Sequence, residues 1–304
     1  NYNNFVAGIS YEIFEPSKIF NKYEISLTAR HRRLYSPDIQ TGNNLSLDSF
    51  FFTANRFAFG VDADLNSERK DYFEPRIDGR YFIYAPNFRV TSWISTDFRK
   101  KFAFDLSLGF RNYIDDEQHN YKIRLTPRFR VSNHLLLIWE TELFVSNNNR
   151  GYIDDNGVDI YFGQRAITNL ENSLQASYNF DPYKAIDLRF RNYWGTADYS
   201  DDLFFLLNQN GTLTQFDYDI SEYNPNRNFN IWNIDLSFRW RFAPGSEISF
   251  LYRNQIFNED DLSNINFGDS LDNLFQQTAQ HTFSIRVTYF LDYNNLKNIF
   301  KHNS

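Results

Sequence analysis

Alternating charged residues are the part of this sequence that could do chemistry. Charged residues recur at every second position in several segments, for example at Arg239 and Arg241 or at Glu140 and Glu142. Because alternate residues of a strand share a face, these segments predict a charged strand face. The residues expected to form this charge ladder are Arg124, Arg128, Glu140, Glu142, Arg189, Arg191, Asp235, Arg239, Arg241, Arg253 and Arg286.

Two arrangements of the charge ladder are open. If the charged strand faces enclose a water-filled lumen, the arginines could set anion selectivity or line a path for a sugar or a peptide. Acids and bases interleave on neighbouring strands, however, and buried charges are usually paired. We therefore expect a packed interior of ion pairs, in which Arg253 lies level with Asp235 and Arg239 lies within reach of Ser249.

One short loop resembles a cation site. Asp154, Asp155, Asn156 and Asp159 place several oxygen donors close together, and hard cations such as Ca²⁺ bind clustered carboxylate and carbonyl oxygens. The loop lacks the spacing and the terminal glutamate of an EF-hand loop. A plain solvated turn is therefore the favoured interpretation, and a calcium site is the alternative.

The histidines give no sign of an enzyme. None of them is accompanied by a serine or an acid in an order typical of a catalytic triad. The chain also has no glycine-rich phosphate loop and no HExxH zinc motif. We expect a protein without catalytic activity and without a required cofactor. The histidines are His31, His119, His134, His281 and His302.

Two long amphipathic strands around a short turn carry much of the charge ladder. Between Phe229 and Phe257 apolar and polar residues alternate for more than ten positions on each side of the sequence APGS. Trp232 and Trp240 lie eight residues apart, or roughly 20 Å along a tilted strand, close to the apolar band of about 25 Å of an outer-membrane barrel. We expect a membrane hairpin. The aromatic residues expected to face lipid are Trp232, Trp240, Trp139 and Tyr289.

Composition and periodicity favour an all-β fold, an antiparallel transmembrane β-barrel of about 14 strands over residues 1–292. Aromatic residues make up 19% of the chain although its mean hydropathy is −0.57, a combination typical of a lipid-facing aromatic coat around a polar lumen. No run of about 18 apolar residues is present, which excludes transmembrane helices. The net charge of −7 lies mostly in loops and argues against nucleic-acid binding.

Short turns should alternate with long outer loops along such a barrel. From residue 131 onward they do, with long outer loops at 147–157, 196–228 and 258–278. The pattern breaks around 66–101, where weak strands are predicted at 76–84 and 88–97, so one of these strands is miscounted. Asn210-Gly211 predicts a hairpin turn inside the longest loop, and residues 293–304 form a short tail.

Several short sequences, among them Glu74-Pro75-Arg76, Phe162–Arg165 and Trp240–Ser246, are distinctive in combination. Together they resemble an uncharacterised outer-membrane family of Bacteroidota, over roughly residues 70–292. The resemblance implies an outer-membrane barrel with no established catalytic residues. Members often carry an N-terminal β-sandwich like carbohydrate-binding module 9, and further strands before the region aligned here, so it also implies a barrel larger than 14 strands. The sequences are Glu74-Pro75-Arg76, Gly79-Arg80-Tyr81-Phe82, Thr96–Lys101, Phe162–Arg165, Arg189, Arg191, Tyr193-Trp194, Gly211-Thr212-Leu213, Asn228-Phe229-Asn230 and Trp240–Ser246.

We expect an integral protein of the Gram-negative outer membrane that acts as a channel or transport component of an envelope assembly. A plugged scaffold barrel that binds partner proteins is the second possibility, and a soluble carbohydrate-binding β-sandwich is the alternative fold. The expected partners are outer-membrane lipid and other envelope proteins, or a glycan bound through an N-terminal domain.

Overall fold

A computed structural model of the protein describes residues 2–199, 203–219 and 223–291. Within these ranges the chain forms strands and a single short helix. The elements are β1 (Tyr2–Ile13), β2 (Phe20–Leu34), β3 (Gln40–Thr53), β4 (Ala58–Asn66), β5 (Arg69–Asp71), β6 (Phe82–Tyr84), β7 (Asn87–Ser95), β8 (Phe102–Tyr113), β9 (His119–Arg130), β10 (Leu135–Asp155), β11 (Ile160–Asp181), β12 (Lys184–Asp198), β13 (Phe204–Leu207), β14 (Leu213–Phe216), β15 (Arg227–Ala243), β16 (Ser246–Asp260), α1 (Phe267–Phe275) and β17 (Gln280–Thr288).

One large antiparallel sheet organises the described residues, which confirms the predicted all-β antiparallel fold. Its strand order is β1-β2-β3-β4-β7-β8-β9-β10-β11-β12-β15-β16-β17, with β13 and β14 added beside β11. The predicted hairpin is confirmed as β15 and β16, which pair from Asn228↔Asp260 to Ala243↔Ser246. Gly245 closes its turn with φ of +72°, a left-handed conformation that glycine adopts without steric cost.

Connections of two lengths separate the two ends of the sheet. The hairpins β1–β2, β3–β4, β7–β8, β9–β10, β11–β12 and β15–β16 turn within a few residues at one end, here called the short-turn end. The long connections 67–86, 199–226 and 261–279 all lie at the opposite end, the long-loop end. The connections 35–39, 114–118 and 156–159 also lie at the long-loop end but are short, so the predicted alternation holds only at the three long connections. The long loop expected at 147–157 is wrong, because β10 continues to Asp155.

The miscounted strand is the one predicted at 76–84. Only Phe82–Tyr84 are extended there, and they pair with Arg69–Asp71 in a separate two-stranded sheet. Arg76 and Gly79 have φ of +59° and +78°, which interrupts a continuous strand. In the described residues the sheet thus follows a path of thirteen strands, one fewer than expected.

The two faces of the sheet differ in chemistry, as the alternation predicted. Residues of one row lie opposite one another on neighbouring strands, and along β9 to β17 one such row is apolar: Phe129, Leu137, Ala176, Leu188, Leu236, Tyr252 and Phe283. A row of the opposite face is polar: Glu140, Ser173, Arg191, Asn233, Gln255 and Gln280. We call these the apolar face and the polar face.

Residues 67–86, here called the cap, close over the polar face at the long-loop end. At one side of the sheet Phe73 of the cap contacts Tyr2 on β1, with ring centroids 6.1 Å apart. At the other side Phe82 contacts Phe162 on β11, with centroids 4.9 Å apart. The cap therefore links β1 to β11, which lie eight strand steps apart in the sheet order.

The helix α1 lies on the apolar face at the long-loop end, inside the predicted loop 258–278. Asn266 caps it by accepting a hydrogen bond from the backbone N–H of Asp269. Ser270 and Leu274 are fully buried against the sheet, and Phe275 packs on Trp232 with ring centroids 4.9 Å apart. Among the described residues no helix is long and apolar enough to cross a membrane.

The two edges of the sheet are β1 and β17. Within the described residues no ladder joins them, so a closed barrel is not observed there. Twelve antiparallel steps separate the two strands, and an even number of steps means that both run from the long-loop end to the short-turn end. The predicted tail 293–304 lies outside the described residues.

Candidate functional site

The part of the charge ladder on β8, β9 and β10 forms ion pairs. Arg124 pairs with Glu140, and Lys122 Nζ lies 2.7 Å from Glu142 Oε1. Arg128 reaches Asp105 Oδ2 at 3.2 Å. The register explains these contacts, because Arg124 stands directly opposite Glu142 and one row from Glu140. This region fits the paired interior expected from the sequence.

Asp235 is the centre of a second ion-paired group. Arg253 Nε lies 2.6 Å from Asp235 Oδ1, and Arg191 Nη2 lies 2.6 Å from Asp235 Oδ2. The predicted level position of Arg253 and Asp235 is confirmed by their direct pairing in the ladder. Arg189, in contrast, donates to the side-chain amide oxygen of Gln175 at 3.1 Å. Each side of the Asp235 carboxylate is thus occupied by a guanidinium group.

Three arginines of the charge ladder do not join this network. Arg239 on β15 lies opposite Ser249 on β16, as predicted. Arg286 on β17 lies opposite Ser249 on the other side of β16. Among the described residues Arg239, Arg241 and Arg286 have no ion pair, and all three are exposed. At these positions the described residues show no pairing of the kind expected, because the row of Arg239 and Arg286 contains Ala185 and Ser249 and no carboxylate.

The aromatic residues expected to face lipid have different surroundings. Trp139, Trp240 and Tyr289 are 45%, 38% and 62% exposed. Trp232 is on the apolar face as well, but its ring packs against Phe190 and the helix residue Phe275. A loop was predicted where α1 lies, so the packing of Phe275 on Trp232 could not be predicted from the sequence.

The acidic loop is a self-contained turn rather than a gathered metal site. Asp155 accepts hydrogen bonds from the Tyr152 hydroxyl at 2.6 Å and from the Gly157 N–H at 2.9 Å. The Asn156 side-chain oxygen accepts from the N–H groups of Val158 and Asp159. No group of three or more acids or histidines within the described residues could hold a metal ion. The contacts of Asp154, Asp155, Asn156 and Asp159 thus fit the solvated turn favoured from the sequence.

The described histidines make contacts that are typical of structural residues. His31 bonds to Asn43, His119 to Asn147, and His134 to the backbone oxygen of Asn179. His281 bonds to the hydroxyl of Tyr252. These ring nitrogens meet amides, backbone carbonyls and a phenol. His302 lies outside the described residues.

Several of the short sequences behind the resemblance meet at the cap. Glu74 accepts a hydrogen bond from the Tyr152 N–H at 3.0 Å, and the Arg76 guanidinium lies 4.2 Å from the centre of the Tyr152 ring. Arg80 donates to the backbone oxygen of Leu207 at 2.6 Å. The N–H of Ile83 donates to the carbonyl of Gly211. These contacts join the cap to the tip of β10–β11 and to the β13–β14 hairpin, which the Asn210-Gly211 signal predicted.

A small apolar core holds the cap in place. Phe82, Ile160, Phe162 and Leu207 are buried together. Full burial of an aromatic or aliphatic side chain contributes about 1.5–3 kcal/mol each. Since these residues lie far apart in the sequence, periodicity alone could not bring them together.

A cavity of about 680 Å³ lies between the cap and the polar face of β1–β4, β7 and β8. Its basic lining residues are Arg30, Arg32, Arg69, Lys70, Arg89 and Arg111. Sequence reasoning missed this site because its residues come from strands and a segment that only the fold brings together. The alternation of Arg30 and Arg32 was the one available signal.

The chain matches a family model described as Domain of unknown function (DUF5916) over residues 1–300. It therefore belongs to that family, and the match is longer than the 70–292 on which the resemblance rested. No curated protein matches the chain.

Proposed function

We propose that this member of the DUF5916 family is an integral outer-membrane β-barrel that acts as a channel or transport component of the cell envelope. The observation that carries the proposal is the two-faced sheet, with an exposed apolar face opposite a polar face.

The exposed apolar face supports a membrane location. Large apolar side chains stand in water-exposed positions on strand after strand, such as Ile9 at 73%, Leu188 at 41% and Ile285 at 72% exposure. A contiguous exposed apolar surface of this size marks a membrane or a partner as the neighbour. Lipid accounts for it on every strand at once, because transmembrane barrel strands alternate apolar outward and polar inward.

The connections and the curvature support a barrel. Short turns at one end and long connections at the other are typical of outer-membrane barrels. The contacts of the cap with both β1 and β11 support a sheet bent around its polar face. Open edges in hydrocarbon would leave backbone groups without hydrogen bonds, so closure is the favourable arrangement.

The polar face supports a transport role. Arg239, Arg241 and Arg286 project from it without an ion pair among the described residues, which leaves them available to anions in a water-filled lumen. A plugged scaffold is the second candidate. The cap favours a plugged scaffold, because residues 67–86 lie over the polar face at the long-loop end and contact both β1 and β11.

Conductance in planar lipid bilayers separates the two candidates. A channel gives discrete steps of steady current with selectivity for anions, and a scaffold with an occluded lumen passes no steady current. A heat-denatured sample of the same preparation is the control for detergent leakage. Phase partition tests the membrane location independently, since a soluble β-sandwich would stay in the aqueous phase without detergent.

A further inference from the structure

The cavity beneath the cap has an excess of positive charge. Six basic side chains and two aspartates line it. Both aspartates are occupied, since Asp64 Oδ2 lies 2.6 Å from Arg89 Nη2 and Asp71 Oδ2 lies 3.2 Å from Arg69 Nη2. The remaining basic groups therefore have no carboxylate within the cavity to neutralise them.

Two of the arginines are free to bind a ligand. Among the described residues the side chains of Arg32 on β2 and Arg111 on β8 make no hydrogen bond and no ion pair. Lys70 has only an aromatic contact, 5.3 Å from the centre of the Tyr81 ring. Guanidinium groups bind carboxylate, sulfate or phosphate oxygens in pairs, so an anionic ligand would satisfy both arginines.

Aromatic rings and amides complete the lining. Tyr2, Phe73 and Tyr84 supply flat apolar walls, and Asn4 supplies a side-chain amide. Sugar rings present C–H faces that stack on aromatic rings and hydroxyl groups that hydrogen-bond to amides. A volume of about 680 Å³ is far larger than a single inorganic anion needs and falls within the range of ordinary ligand pockets, about 300–1,000 Å³.

We infer that this cavity binds an acidic oligosaccharide, of the size of a di- or trisaccharide, with Arg32 and Arg111 holding its anionic groups. The inference names the substrate class for the proposed transport and rests on that function only for the biological role of the site. The binding site itself depends on the cavity alone.

Isothermal titration of the full chain in detergent with digalacturonate tests the inference. We expect binding to the wild-type protein and at least tenfold weaker binding to the Arg32→Gln/Arg111→Gln variant. That variant should fold normally, because neither side chain has a partner to lose. Arg130→Gln is the matched control, since it removes an exposed arginine of the polar face that does not line the cavity, and the affinity of this variant should equal that of the wild type.

Two further titrations identify the ligand chemistry. Lactose, a neutral disaccharide, should not bind, and sodium sulfate should compete only weakly with digalacturonate. Equal affinity for lactose, full competition by sulfate at the same concentration as digalacturonate, or unchanged affinity in the double variant would each overturn the inference. Binding of digalacturonate without conductance would overturn the proposed channel but support the binding site. Conductance without binding would support the channel and overturn the binding site.

Discussion

The ring of Phe82 packs against the ring of Phe162 at a centroid distance of 4.9 Å, although their strands belong to different sheets. Phe162 has no exposed surface and Phe82 is 6% exposed. This contact fixes the cap to the tip of β10–β11. The position of the cap over the polar face, and with it the shape of the cavity, therefore depends on a small core at the long-loop end.

Phe82→Ala should loosen the cap. Truncating a buried phenylalanine costs about 3–5 kcal/mol, which the core of the cap has few other residues to offset. Limited trypsin digestion should cleave after Arg76 or Arg80 much faster in the variant than in the wild type. Phe257→Ala is the control, because Phe257 is 59% exposed and lies on β16, outside the cap. Equal cleavage of Phe82→Ala and wild type would show that the ring pair does not hold the cap.

Leu236→Arg and Ser237→Arg compare the two faces at one level of β15. Leu236 stands between Leu188 and Tyr252 on the apolar face, and Ser237 stands next to it on the polar face. Arginine facing lipid near the middle of the membrane costs about 2–4 kcal/mol, and the same residue in a wet lumen costs far less. Denaturant titrations after refolding into bilayers measure both losses. Equal losses would contradict the lipid-facing assignment.

The sequence predicted the sheet better than it predicted the long-loop end, for a physical reason. The β15–β16 hairpin follows from local alternation and a turn glycine, so Phe229–Phe257 fixes its own register. The cap does not, because Phe82 meets Phe162 only after the intervening strands have paired. The helix α1 likewise depends on its burial against Asn230 and Trp232.

Arg239→Glu together with Arg241→Glu should change ion selectivity and leave folding intact. Neither arginine has an ion pair to lose in the described residues, and two acids in a wet lumen favour cations. Reversal potentials in salt gradients should move toward cation selectivity. The control variant, Arg191→Glu with Arg253→Glu, places three acids together at Asp235 and should unfold more easily. An unchanged reversal potential in the first variant would remove these arginines from the ion path.

Tyr152 should make the tip of β10–β11 sensitive to alkali. Burial, and then the hydrogen bond to Asp155, raise the pKa of Tyr152 to about 12, from about 10 in an unfolded chain. The neutral phenol therefore stabilises the folded tip fully below about pH 10, and this contribution is lost as the pH rises to about 12. Amide exchange at the tip should accelerate across that window. Tyr152→Phe should be less stable than the wild type by about 1 kcal/mol below about pH 10, and this difference should shrink across the window because the variant has no phenol to ionise.

The edges of the sheet predict how a barrel would close. Because β1 and β17 run in the same direction, direct pairing would create one parallel ladder in a sheet whose other ladders are all antiparallel. Bacterial single-chain barrels have even strand numbers, and a further strand between the two edges would restore both the even number and the antiparallel order. We therefore expect β1 and β17 to lie two strand spacings apart, about 10 Å.

Cysteine cross-linking measures that gap, and the chain has no native cysteine to interfere. Ile285→Cys on β17 would be combined with single cysteines along β1, including Ile9→Cys, since both native side chains are exposed on the apolar face. Direct pairing would give a disulfide, which requires Cα atoms about 4.4–6.8 Å apart. We expect no disulfide under oxidation but efficient coupling by a bis-maleimide that spans about two strand spacings. A quantitative disulfide would mean that thirteen strands close directly, and no coupling by either route would mean an open sheet and would overturn the barrel.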